Sequence, residues 1–126
     1  MDTREVVTKY FEYVNAGRWD DYLSLFDDNV VMDEQLMGHL EGIGAVKEGI
    51  ENLKNAPKFQ NHPLKTVVEG DQAMVIWHIE TLGPKGEPID ATGVNYYQLE
   101  NSKIKKFSNY HDTRPFKPIL DALGSA

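Results

Sequence analysis

Cysteine is absent from this chain of 126 residues. That excludes disulfides, thiolate nucleophiles, thiolate metal sites and iron–sulfur clusters together, and any chemistry falls to oxygen and nitrogen groups. Long apolar runs are missing too: no stretch reaches the roughly 18 residues a membrane helix requires. The opening Met1-Asp2-Thr3-Arg4-Glu5 lacks the apolar region of a signal peptide, so the expected location is cytoplasmic, with no membrane partner. Basic charge is scarce. Thirteen Lys and Arg stand against twenty Asp and Glu, for a net charge of −7, the wrong sign for neutralising phosphates; no nucleic-acid partner is expected. The one basic run, Lys103, Lys105 and Lys106, reads as a solvated edge-strand face. The four histidines, His39, His62, His78 and His111, show no H-x-H, H-x₃-H or H-E-x-x-H spacing, so no metal site is expected. There is no G-x-S-x-G elbow, phosphate loop or dinucleotide fingerprint, and therefore no sign of a cofactor.

What is present is an ordinary globular balance of 40 % hydrophobic and 26 % charged residues, in a length that suits one domain spanning 1–126. Asp2 with Glu5 three residues on reads as a capping-box variant. Val7, Tyr10, Phe11 and Val14 repeat at helical spacing until Gly17 supplies a stop, so a helix is predicted over 3–16. Trp19, Tyr22, Leu23 and Phe26 make a second short helix ending at the turn formers Asp27-Asp28-Asn29. Val30-Val31-Met32-Asp33 reads as a short strand, Gly38 and Gly42 as a loop, and Ile43, Val46, Ile50 and Leu53 as a third helix stopped by Pro57. Strand patterns then follow at 63–69, 73–82, 89–99 and 103–112, joined by short turns that make neighbours antiparallel. The tail from Thr113 looks irregular before a short apolar end at Ile119 to Leu123. Helices first and hairpin-linked strands afterwards is the order of an α+β domain.

Within that frame a few polar residues stand where apolar ones are the rule. Asp33 closes a strand that is otherwise buried, where a carboxylate is costly unless paired or functional; it is a candidate general base or, equally, a turn cap. Alternation along the last strand sets Phe107, Asn109 and His111 on one face and Ser108, Tyr110 and Asp112 on the other. His111 and Asp112 can share a site only if the strand ends or bulges there. Trp77 and His78 face opposite sides by the same parity. Asn95 shares a face with Gly93 and Tyr97, and a mid-strand asparagine suggests a polar group aimed into a cavity.

Lys9-Tyr10-Phe11-Glu12-Tyr13-Val14-Asn15-Ala16-Gly17-Arg18-Trp19 and Leu25-Phe26-Asp27-Asp28-Asn29-Val30-Val31-Met32-Asp33 together resemble the opening of the nuclear transport factor 2-like superfamily, and within it SnoaL-like proteins. The hairpin Asn95 to Ile104 and the closing His111-Asp112 extend the similarity over nearly the whole chain. The resemblance implies a cone: N-terminal helices on a strongly curved antiparallel sheet that encloses a pocket, frequently in a homodimer formed through the sheet. Members range from polyketide cyclases, ketosteroid isomerase, scytalone dehydratase and limonene-epoxide hydrolase to proteins that only bind, so function has to be argued from the site.

Compared with ketosteroid isomerase, Asp33 stands where the base is, Tyr10 where a helix-one tyrosine stabilises the oxyanion, and Asn95 where a neutral aspartic acid helps it. An amide still donates a hydrogen bond there. Compared with SnoaL-like cyclases, His111 and Asp112 match the histidine and aspartate that remove a proton next to a carbonyl. The Asp-Arg-Asp relay of limonene-epoxide hydrolase finds no match, since Arg4, Arg18 and Arg114 lie outside the strand patterns. The expectation is a cofactor-independent cyclase or isomerase acting on a small apolar carbonyl compound. Asp33 or the His111-Asp112 pair would be the base, with Tyr10 and Asn95 on the enolate. Trp77, Tyr97 and Phe107 would be apolar walls, and His39 and Asn109 orienting contacts. The alternative is a non-catalytic ligand-binding or dimeric scaffold protein of the same fold.

Overall fold

Asp2 sets where the first helix begins. In the computed structural model, which describes residues 1–54 and 59–124, its carboxylate accepts the Glu5 backbone N–H at 2.8 Å, satisfying one of the donors a helix start leaves open. Helix α1 runs over Thr3–Ala16 and stops at Gly17, whose φ of 69° is left-handed and favours glycine. Its apolar stripe of Val6, Val7, Tyr10, Phe11 and Val14 is buried against the sheet. After it come α2 (Trp19–Ser24), β1 (Phe26–Glu34), β2 (Gly38–Glu41), α3 (Ile43–Gly49) and α4 (Glu51–Lys54). The rest of the sheet is β3 (Gln60–Glu69), β4 (Gln72–Leu82), β5 (Pro88–Glu100) and β6 (Lys103–His111), followed by a 3-10 turn (Arg114–Phe116) and α5 (Lys117–Gly124).

The six strands form one open sheet in the order β2-β1-β6-β5-β4-β3. Four of its pairings are antiparallel, but β1 runs parallel to β6, so the sheet is mixed rather than wholly antiparallel as expected. Short turns dictate direction only between consecutive strands, and β1 meets β6 across most of the chain. That position also makes β6 an interior strand, so the lysine run does not lie on an edge. Lys105 instead reaches the Asp27 carboxylate at 3.4 Å.

Local differences have local causes. Asp27-Asp28-Asn29 lies inside β1, not in a turn: the Asp27 carboxylate still accepts the Asn29 N–H at 2.8 Å, and the register slips between Phe26 and Val31, so turn chemistry is spent on a bulge. Gly38–Glu41, expected as loop, pairs with β1 as a hairpin. β3 starts at Gln60, upstream of Pro63, because an edge strand with a slip between Pro63 and Lys65 tolerates proline. Pro57, expected to stop the third helix, lies outside the described residues.

Strand parity decides what the cavity sees. On β4, Ala73, Val75, Trp77, Ile79 and Thr81 point inward; on β5, Ile89, Ala91, Gly93, Asn95, Tyr97 and Leu99 do so. Opposite them are α1, the end of β1, α3 and the C-terminal segment. Among the described residues no helix is long and apolar enough to cross a membrane.

Candidate functional site

Between α1, the inner face of β4 to β6 and the C-terminal segment lies a cavity of about 150 Å³. Tyr10, Tyr22, Met32, Ile50, Trp77, Ile79, Phe107 and Phe116 supply apolar wall, and Glu34, Asn61, Thr81, Asn95, Asn109 and His111 are its polar members. An apolar enclosure with a few convergent polar groups has the make-up of a small-molecule site. A second, wider depression of about 520 Å³ between Met1–Arg4 and the turns at Gly70 and Ser102 holds none of the candidate residues and is mostly exposed.

Tyr10, from α1, sits among aromatic rings: it stacks on Phe107 at 5.8 Å and meets Tyr97 edge-on at 5.2 Å and Tyr22 at 5.4 Å. Burial is the main cause that pushes the phenols of Tyr10, Tyr22 and Tyr97 well above the usual tyrosine range, so they stay protonated and able to donate. Asn95 is 2 % exposed. Its Oδ1 accepts the Trp77 indole N–H at 2.7 Å and its amide donates to the Tyr97 hydroxyl at 2.9 Å. The asparagine therefore ties one cavity wall to the tyrosine cluster.

His111 stands in the wall at the end of β6, its ring edge-on to Trp77 at 5.5 Å and to Phe116 at 5.1 Å. Its Nδ1 lies 2.8 Å from the Asp112 main-chain carbonyl. A carbonyl only accepts, so Nδ1 carries the proton, and the neutral ring keeps its lone pair on Nε2. Asn109, also inward-facing, donates to Glu34 Oε1 at 2.9 Å and accepts the Gln35 N–H at 2.9 Å. Glu34 Oε2 accepts the N–H groups of Leu36 and Met37 at 2.9 and 2.6 Å. Three donors thus hold the Glu34 carboxylate at the mouth of the β1–β2 turn.

The structure brings Tyr10, Asn95, Trp77, Phe107, Asn109 and His111 to this cavity and sets Tyr97 directly behind Asn95. It keeps three others away. Asp33 and His39 face each other across the β1–β2 hairpin, Nδ1 to Oδ1 at 2.6 Å with both side chains about half exposed. The reason is parity: Val30 and Met32 point inward, so Glu34 does and Asp33 does not. The run Val30-Val31-Met32 is apolar on both faces and hides which parity applies. Asp112 is exposed and bound by Arg114, with Nη2 to Oδ2 at 2.6 Å; the Arg114 side chain lowers its pKa to about 2. Only its main-chain oxygen serves His111, so the expected side-chain pair is a contact through the backbone.

Glu34, Tyr22, Asn61 and Thr81 line the cavity without having been anticipated. Thr81 had a usable signal, four residues beyond Trp77 on one strand face. Asn61 had none, since Pro63 hid the strand it belongs to. Among the described residues no group of three or more His, Asp and Glu has the geometry to hold a metal ion.

Residues 7–107 match the family model for the SnoaL-like domain. No curated protein matches the chain, but solved structures do. An NTF2-like protein of unknown function from Cytophaga hutchinsonii is 25 % identical over 93 % of this chain and 96 % of its own, with a TM-score of 0.72. A protein provisionally named a polyketide cyclase, from Pseudomonas putida, is 16 % identical over 92 % and 96 %, with a TM-score of 0.84. An NTF2-like protein of unknown function from Burkholderia pseudomallei reaches a TM-score of 0.86 at 14 % identity over 95 % and 98 %. At such identities the last two speak for the fold alone.

Proposed function

This chain belongs to the SnoaL-like domain family, and from that premise we propose that it is a cofactor-independent enzyme of cyclase or isomerase type. Its cavity takes a small, largely apolar carbonyl compound, and His111 removes a proton α to the carbonyl. The observation that carries this reading is the hydrogen bond from His111 Nδ1 to the Asp112 carbonyl. It leaves a basic nitrogen on a residue of an apolar wall, the arrangement general-base catalysis requires. Tyr10 is the group for the developing enolate oxygen, since it lines the cavity and burial keeps its phenol protonated. Asn95 acts through others, holding Tyr97 and Trp77 in place. The cavity volume favours a ligand built around a single ring, since a space of about 150 Å³ accommodates benzene. A homodimer through the outer sheet face belongs to the same reading, supported by the exposure of Val67, Met74, Ile76 and Tyr110 there.

Deuterium wash-in at the methyl group of acetophenone, followed by NMR, tests the chemistry. Wild type should accelerate exchange over buffer. His111→Gln should lower the accelerated rate by about 10²-fold or more, while Asp33→Asn should leave it within twofold. Loss of exchange in Glu34→Gln with His111→Gln unaffected would move the base to Glu34. Saturable binding with no exchange in wild type would favour the binding-protein alternative.

A further inference from the structure

Apart from His111 and the tyrosines, the polar residues of the cavity wall divide into two sets. Glu34, Asn95 and Asn109 spend theirs on partners within the protein. Asn61 Oδ1 and Thr81 Oγ1 are buried with no hydrogen-bond partner. Both residues are 5 % exposed and both line the cavity. Burial of an unmatched polar atom is unfavourable, and folded proteins hold few. Here two of them belong to residues that line one space.

The register brings them close. Asn61 pairs across to Ile79, and Thr81 is the next inward residue along the same strand, so the two are diagonal neighbours with Cα atoms roughly 7–8 Å apart. A group between their side chains can touch both. Asn61 Oδ1 only accepts, so the ligand group must donate; the Thr81 hydroxyl both donates and accepts. A carboxylate has nothing to donate to Asn61. An ammonium could donate to both atoms but would leave the Thr81 hydroxyl proton without an acceptor. A hydroxyl meets both atoms, and it still does if the Asn61 amide is turned end for end.

We propose that Asn61 and Thr81 form a hydroxyl-recognition subsite, making the ligand a hydroxylated carbonyl compound. The proposal rests on the reading of the cavity as a carbonyl-binding site and sets the spacing of the two functional groups. Gly93 pairs with both His111 and Trp77, which puts His111 level with Trp77. Asn61 lies level with Ile79, two residues on, and Thr81 four residues on. At about 3.3 Å per residue, the hydroxyl stands about 7–13 Å from the His111 level. That is across a ring from the carbonyl, not beside it.

The test titrates 4-hydroxyacetophenone and 4-methylacetophenone into the full chain, reading amide shifts by NMR in wild type, Thr81→Val and Asn61→Leu. Wild type should bind the hydroxyl compound about tenfold more tightly than its methyl counterpart, and either variant should remove most of that preference by weakening binding of the hydroxyl compound. Thr81→Val also deletes an unmatched buried group, so its melting temperature should equal or exceed that of wild type. A lower melting temperature would mean that the hydroxyl is already satisfied structurally, and it would overturn the subsite. Equal affinities in wild type, or a preference that survives both variants, would overturn it as well. Failure of both compounds to bind overturns the carbonyl reading with it, whereas preference without α-proton exchange keeps the subsite and removes only the catalysis.

Discussion

Two histidines show how far a residue's meaning depends on what it faces. His39 lies on the surface between Asp33 at 2.6 Å and Glu41 at 3.2 Å, and hydrogen bonds to those carboxylates raise its pKa above the ordinary 6.5. A raised folded-state pKa means that the pair's contribution to stability is full below the unfolded-state value and fades as pH rises through the folded one. NMR titration of the His39 ring should therefore give a midpoint above 6.5 that moves down in Asp33→Asn. Denaturant midpoints of wild type and His39→Gln should converge as pH rises past that midpoint. Asp112 shows the opposite sign. With its pKa lowered to about 2 by Arg114, it adds stability that is full above the unfolded carboxylate range and fades as pH falls from there through the folded value. His111 and its neighbours were legible as a polar cluster closing a strand; that its partner would be a main-chain oxygen was not, because the sequence does not say where a strand stops being regular.

At the scale of the element, inward and outward parity did most of the work. The alternation that set Trp77 opposite to His78 agrees with the burial along β4; on β6 Phe107, Asn109 and His111 all reach the cavity, although Ser108 on the other face is buried as well. It failed where apolar residues run consecutively, as at Val30-Val31-Met32, and so misassigned the carboxylate of β1. Gly93 shows how tightly the strands hold the site. A Cβ there would lie 2.4 Å from Trp77 Cζ2 and 2.8 Å from His111 Cβ, and Trp77 is pinned by its bond to Asn95. Gly93→Ala should destabilise the fold by about 1–3 kcal/mol, read as a lower urea midpoint at unchanged slope. It should also weaken acetophenone binding, since the two clashing side chains are cavity wall.

For the whole molecule the outer sheet face is the open matter. Val67 pairs with Met74, and Ile76 and Tyr110 both pair with Val94, so the exposed apolar groups are contiguous across β3 to β6 rather than scattered, the pattern of an association surface. A dimer through this face predicts a doubled mass by sedimentation equilibrium, and a shift to monomer in Met74→Lys with Ile76→Lys. Because the cavity lies on the other side of the sheet, ligand binding by that monomer should fall less than about threefold.

Helix α1 and its caps, the β4, β5 and β6 strands, and the helices-then-strands order were determined by the sequence itself, because hydrophobic period, capping residues and tight turns act over a few neighbouring residues. The tertiary structure alone decided that β1 runs parallel beside β6, that Glu34 rather than Asp33 meets the cavity, and that Asn61 and Thr81 remain without partners. Each of these depends on which distant strand lies alongside, and pairing between strands some 75 residues apart is set by the packing of the whole core, not by any local pattern.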